Sequence, residues 1–299
     1  MSLEPSAMAA GGAALARDED GRVVFVDGAL PAERVVARIT QERRDFARAV
    51  AVDVLDPSPD RVTPPCPALA AGCGGCTWQH VAPEAQGRLK AGIVADALRR
   101  IAKLADPPVV ADAPLGGRAL RTTARLAVSP EGRAGHRARG GANAVPAEAC
   151  LAVHPLLEEL IVHGRYPGAR EVLLRVGVAS GERLVKADRA AARVRVPAGV
   201  HVVAHGDKRP AYVHEDVRGR RFRISADSFF QSGPVAAEAL AAAVSAEAGE
   251  ALPDGGVLVD AYAGVGLFAS VLGAGRPVRV IALEGGPSGV ADARANLAD

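Results

Sequence analysis

The chain has 299 residues, 49% of them hydrophobic and 23% charged, which suits two or three compact domains and excludes disorder along its whole length. Its start lacks a basic segment followed by an apolar core, and no stretch approaches the eighteen or more apolar residues of a membrane span, so a cytoplasmic protein without membrane attachment is expected. The net charge of +2 decides nothing about nucleic acid, but its distribution is uneven. Residues 1–57 hold 7 Lys and Arg against 10 Asp and Glu, residues 58–225 hold 26 against 15, and residues 226–299 hold 3 against 9, giving −3, +11 and −6. Most of the central excess is arginine, whose planar fork suits phosphate oxygens and stacks on unpaired bases; by itself it is equally compatible with a solvated surface.

In chain order, short β-type runs at 13–17, 22–26, 34–40 and 47–55 are separated by Asp20-Gly21 and Asp27-Gly28 turns and predict a small barrel. Prolines 57, 59, 64, 65 and 67 then predict an extended connector over 56–67. Residues 83–103 carry apolar residues at helical spacing (Leu89, Ile93, Ala97, Leu98, Ile101) behind Pro83. From 120 to about 223, runs at 125–128, 172–178, 184–187 and 200–204 predict a mainly β domain. The last part reads as an alanine-rich helix over 234–250, then strand 257–262, helix from 267, strand 278–283 and helix 288–297, the order of a doubly wound α/β domain.

All four cysteines fall in one pattern: Cys66, six residues, Cys73, two residues, Cys76, and the remote Cys150. Three sulfurs on a loop with Gly72, Gly74 and Gly75 can converge on one point, and a fourth closes the site. A disulfide framework is not needed in a cytoplasmic chain with its own core. Tetrahedral zinc stays open, although zinc sites usually pair two half-sites of two cysteines; three plus one favours a [4Fe–4S] cluster.

In the segment 257–269 an apolar strand ends at Asp260, with Tyr262, Gly264 and Gly266 before a helix; the next strand ends at Glu284. Such glycines let a ligand approach the backbone at the carboxyl edge of a parallel sheet, and Glu284 can accept from ribose hydroxyls. Ala269 completes a Gly-x-Gly-x-x-Ala pattern, so a dinucleotide fold competes, but Asp260 and Tyr262 stand where that fingerprint has its first glycine. Asp260 could hold a methionine amino end and Tyr262 pack on the ligand. Just upstream, Asp227–Gln231 (Asp-Ser-Phe-Phe-Gln) offers a side-chain amide that can both donate and accept; Phe229 and Phe230 read equally well as core.

Together these residues resemble the RNA 5-methyluridine methyltransferases, specifically the iron–sulfur branch that modifies uracil in 23S rRNA. Residues 11–17, 21–26 and 57–66 look like that family's N-terminal TRAM barrel and exit linker, 73–80 like its cluster loop, 227–231 like its Phe-Phe-Gln element, and 260–266 like its first cofactor motif. The resemblance implies a multidomain α+β protein: an OB-like TRAM barrel over 1–57, a mainly β central domain with the Fe–S cluster over 58–225 (the helix near 83–103 packing on the C-terminal domain), and the incomplete start of a doubly wound class I methyltransferase domain over 226–299. It implies S-adenosylmethionine contacts at Gln231, Tyr262 and Glu284, a loop shaped by Gly264 and Gly266, cluster ligands Cys66, Cys73, Cys76 and Cys150, and RNA as partner, 23S rRNA rather than tRNA, with no obligate protein partner. Ala32 replaces a glycine common before Glu33, Leu120 an aromatic before Arg121, and Ala263 a cysteine; the first two put RNA affinity in doubt.

Carbon 5 of uracil is a poor nucleophile, so the implied chemistry needs a thiolate adding at carbon 6 and a base removing the carbon 5 proton. In the family these are a cysteine and a glutamate well beyond the cofactor motif, with an Asp-Pro-Pro motif between, and none is present here; the chain is expected to be a C-terminally truncated enzyme without methyl-transfer activity and with uncovered strand edges. Two rival readings are a non-catalytic RNA-binding module with a structural cluster and an NAD-dependent iron–sulfur oxidoreductase. Trp78 is expected to pack over the cluster, and His136 to be a surface histidine.

Overall fold

The computed structural model describes residues 1–113, 115–189, 193–248 and 251–298. It forms two compact units, Met1–Leu69 with Cys76–Gly116, and Ala70–Gly75 with Gly117–Asp299. No described helix is long and apolar enough to cross a membrane.

The first unit contains β1 (Ser2–Leu3), β2 (Ala7–Met8), β3 (Ala14–Arg17), β4 (Val23–Asp27), β5 (Arg34–Glu42) and β6 (Phe46–Asp56), in one sheet of order β1-β5-β6-β4-β3-β2. Alternation decides the faces: Ala14, Ala16, Val24, Val26, Val35, Ala37, Ala47 and Ala49 point into one buried cluster, to which the edge strands add Leu3 and Met8. After the short α1 (Pro67–Ala70), α2 (Pro83–Arg100) lays Ala85, Leu89 and Ile93 against that same cluster. The sequence expectation had this helix on the C-terminal domain.

The stretch expected to be a free connector is tied down. Glu33, whose side chain has no exposed surface, accepts from Arg61 Nε (2.5 Å) and Nη2 (2.7 Å) and from the backbone N–H groups of Leu30 (2.8 Å) and Ser58 (3.2 Å). Burial pushes its carboxyl up, and Arg61 with the two N–H donors more than offsets this, holding it below the ordinary range. Arg61 also bridges to Val81, so residues 58–62 are held from both sides and the expected boundary at 57/58 is not a structural one. Ala32, beside Glu33, sits at φ +62°.

The second unit contains β7 (Thr123–Val128), β8 (Ala134–Arg137), β9 (Ala144–Pro146), α3 (Pro155–Val162), β10 (Glu171–Val176), β11 (Arg183–Ala187), β12 (Val200–Ala204), β13 (Tyr212–Val217), β14 (Arg220–Ser225), α4 (Pro234–Ala248), β15 (Val257–Ala261), α5 (Leu267–Gly273), β16 (Arg279–Leu283) and α6 (Pro287–Asn296). Its main sheet runs β12-β11-β10-β7-β8-β9, beside the β13-β14 hairpin and the parallel pair β15-β16. Leu126, Leu157, Leu160 and Tyr166 centre one core under α3. Leu173, Leu184, Val213, Phe222, Ala237, Val265 and Leu267 form another that joins the main sheet, the hairpin, α4 and α5. The expected boundary at 225/226 therefore cuts through a shared core.

One polar network binds α6 to this core. Asp292, fully buried, accepts from Arg223 Nε (2.8 Å), Ser225 N (2.7 Å) and Oγ (2.8 Å), and Ser228 Oγ (2.6 Å). One turn later, the Asn296 side chain pairs with the backbone of Arg223 (2.8 and 3.0 Å) and donates to Val265 O (2.9 Å). Val257, Val259 and Leu283 are exposed on the parallel pair.

Two stability outcomes follow. Ala32→Gly relieves a left-handed backbone that costs an L-residue about 1 kcal/mol, so it raises the thermal midpoint of the protein; an unchanged or lowered midpoint contradicts this. Asp292→Ala leaves Arg223 and two hydroxyls without their acceptor and costs about 3–5 kcal/mol in urea unfolding, whereas a loss below about 1 kcal/mol, as for an exposed pair, would show that the network is solvated.

Candidate functional site

β15 and β16 run parallel with Asp260 opposite Ala282, so Asp260 and Glu284 emerge at the same carboxyl edge. Neither carboxylate is idle. Asp260 Oδ2 accepts from Ala269 N in the first turn of α5 (2.9 Å), and burial pushes its carboxyl up. Glu284 accepts from Gly286 N at Oε1 (2.6 Å) and from Gly264 N at Oε2 (2.8 Å), and these two donors hold it below the usual carboxylate range. A carboxylate has about four acceptor positions, so Glu284 can clasp the loop and still receive ribose hydroxyls.

Between them the loop takes three left-handed residues: Tyr262 at φ +65°, Gly264 at +57° and Gly266 at +85°. Nothing lies within 4 Å of where a Gly264 side chain would begin, so the space over the loop is open. A tyrosine in this conformation is strained, and Tyr262 is 94% exposed. Ala263 is buried and donates its N–H to Leu283 O (2.9 Å), so alanine there keeps the loop intact.

The Asp227–Gln231 segment is fixed to the same edge. Ser228 Oγ lies 2.8 Å from Ser288 Oγ at the start of α6, whose Gly289 packs on Glu284 and on the Gly264 carbonyl. Arg175 Nη2 donates to Ser228 O (2.7 Å); this guanidinium is buried, which pulls its pKa down to about 10 against the raising influence of Asp292 and Asp227. Thr122 N donates to Ser232 O (2.8 Å), and Gly233 lies against the Leu120 carbonyl. The two phenylalanines divide: Phe230 joins the core beside Phe222 (6.5 Å between centroids), while Phe229 is 73% exposed. Gln231 is half-buried.

The structure thus brings the Gln231 segment, Glu284 and the glycine loop together around the start of α6. Sequence reasoning missed Arg175, Arg223, Ser228, Asp292 and Asn296. A signal existed: Ser288, Asp292 and Asn296 recur every four residues and form a polar stripe on one helix face.

No three His, Cys, Asp or Glu side chains among the described residues gather into a metal-holding set. Cys73 bridges to Ala138 at the end of β8 and its Sγ receives Gly75 N (3.4 Å); Cys150 Sγ lies 3.9 Å from His136 Nε2. His136 is half-buried: Gly75 packs on its ring, and burial, helped by Arg121, lowers its pKa. Trp78 packs against the core of the first unit beside Gly12, with Lys90 Nζ 5.7 Å from its ring centroid.

Residues 6–52 match the TRAM domain. An uncharacterized RNA methyltransferase of Streptomyces coelicolor is 38% identical over 329 residues, covering 99% of this chain and 70% of that protein. A 23S rRNA (uracil(1939)-C(5))-methyltransferase RlmD of Acidithiobacillus ferrooxidans is 41% identical over 157 residues, covering 50% of this chain and 35% of that protein. Among solved structures, the Pyrococcus abyssi tRNA (uracil-54, C5)-methyltransferase in complex with S-adenosyl-L-homocysteine superposes with a TM-score of 0.69 at 20% identity, covering 99% of this chain and 76% of that one, a likeness of fold. Matched over almost its whole length by the Streptomyces relative, the chain belongs to the RNA methyltransferase family.

Proposed function

We propose that the chain binds S-adenosylmethionine at the Asp260–Gly266 loop and RNA through its TRAM domain and basic central region, as part of a uracil-C5 methyltransferase acting on 23S rRNA in the cytoplasm. The observation that carries this reading is the Glu284 clasp on Gly264 and Gly286, which leaves open space over the loop at the carboxyl edge of two parallel strands. The residues fit the cofactor: Glu284 would take the ribose hydroxyls, Tyr262 would lie against the ligand, Gly264 and Gly266 would let it approach the backbone, and Gln231 with Asp260 would meet the methionine end. When bound, S-adenosylmethionine supplies an electrophilic methyl group on its sulfonium.

RlmD of Acidithiobacillus ferrooxidans is named for 23S rRNA, which supports ribosomal over transfer RNA as substrate. No cysteine lies within 226–299, so we propose that these 299 residues by themselves hold cofactor and RNA without transferring methyl groups. The spacing Cys66, Cys73, Cys76 and Cys150 supports an iron–sulfur centre as a separate proposal, and nothing in the cofactor reading depends on it.

Two measurements test these statements. Calorimetric titration of the chain gives S-adenosylmethionine binding and none with NADH, and Glu284→Ala weakens the former by about 10- to 100-fold through lost charge-assisted hydrogen bonds; NADH binding, or indifference to Glu284→Ala, overturns the assignment. Anaerobically purified protein contains about four iron and four acid-labile sulfides per chain if the cysteines carry a cluster; stoichiometric zinc, or no metal, rejects it.

A further inference from the structure

The main sheet of the second unit carries a row of basic side chains on one face. Arg125 on β7 and Lys186 on β11 flank Leu173 on β10 in register, and Arg137 on β8 joins them through a shared partner. That partner is Glu171: its Oε1 accepts from Arg125 Nη1 and its Oε2 from Arg137 Nη2, each at 2.6 Å. At the other end of the row, Lys186 Nζ meets Asp227 Oδ2 at 2.5 Å, the first residue of the Asp227–Gln231 segment.

Stability does not explain this arrangement, since exposed ion pairs contribute at most about 1 kcal/mol and both arginine side chains are about half exposed. What Glu171 does is fix two guanidinium planes with one oxygen each, leaving most of their donors outward. The backbone of Arg137 is fixed as well, because Gly74 N donates to its carbonyl (2.9 Å). Two preoriented forks on a sheet face match the spacing-tolerant, bidentate recognition of phosphodiester oxygens, and they lie in the part of the sequence whose net charge is +11.

We propose that Arg125 and Arg137 form a phosphodiester clamp that leads an RNA strand along this face toward Asp227–Gln231, with Glu171 as its positioning residue. The inference rests on the RNA-binding reading above and adds the surface and the residues to it. Glu171 separates the clamp from simple attraction. If the face only attracted RNA by net charge, removing a carboxylate would tighten binding; a clamp oriented by that carboxylate is weakened.

The test is anisotropy of a fluorescent RNA stem–loop with a uridine-containing loop, titrated with the full chain over a range of KCl concentrations. Arg125→Gln with Arg137→Gln flattens the slope of log affinity against log salt by about 1.4, the loss of two single-strand phosphate contacts. Glu171→Gln and Glu171→Ala each weaken binding by about 3- to 10-fold, with S-adenosylmethionine affinity unchanged as the check on folding. A wild-type slope in the double variant, or equal or tighter binding by both Glu171 variants, overturns the clamp while leaving RNA binding in place. A wild-type chain that binds S-adenosylmethionine but no RNA overturns the RNA-binding reading and the clamp with it.

Discussion

A carboxylate with no access to water organises the C-terminal half of this protein. Asp292 is accommodated in the interior because four donors from Arg223, Ser225 and Ser228 converge on it. Satisfying it requires α6, the end of β14 and the segment after β14 to meet in one arrangement. The start of α6 is thereby delivered beside Glu284, and Glu284 in turn clasps the glycine loop through Gly264 and Gly286. The geometry of the candidate cofactor site is thus inherited from a buried polar contact that touches no ligand.

The charge pattern divides labour along the chain. In the acidic final segment, Asp260 and Glu284 accept from backbone N–H groups of the loop and its flanks and so shape the site. The basic excess lies upstream, and on the main sheet its arginines are held in defined directions by acidic partners such as Glu171. In the first unit the same device is buried: Glu33 and Arg61 fasten residues 58–62 to the sheet, so the chain leading to Cys66 leaves from a fixed point.

Much of this was legible in the sequence because alternation and turn chemistry are local. Strands at 34–42, 46–56 and 200–204 and helices from 83, 267 and 287 follow their patterns within a few residues, and Asp260, Gly264, Gly266 and Glu284 stand at the expected strand ends. Ala32 shows why a glycine suits that position, since its φ is +62°. What was not legible depends on partners distant in sequence. The prolines of 56–67 suggested a free linker, yet Glu33 captures it from 28 residues upstream of Arg61. The boundary near 225 looked natural from composition, yet Phe222 and Leu267 share a core. Trp78 packs with the core of the first unit, and Gly75 lies against the ring of His136; both contacts are distant in sequence and invisible to local pattern.

The central claim is that the glycine loop, held by Glu284 and abutted by the Asp227–Gln231 segment, binds the methyl-donor nucleotide. Amide hydrogen exchange on the chain with and without S-adenosylmethionine tests it most directly. The account predicts slowed exchange confined to residues 227–231, 260–269 and 284–289, with residues 1–69 unaffected. Unchanged exchange in those three segments, or protection appearing only elsewhere, would contradict it.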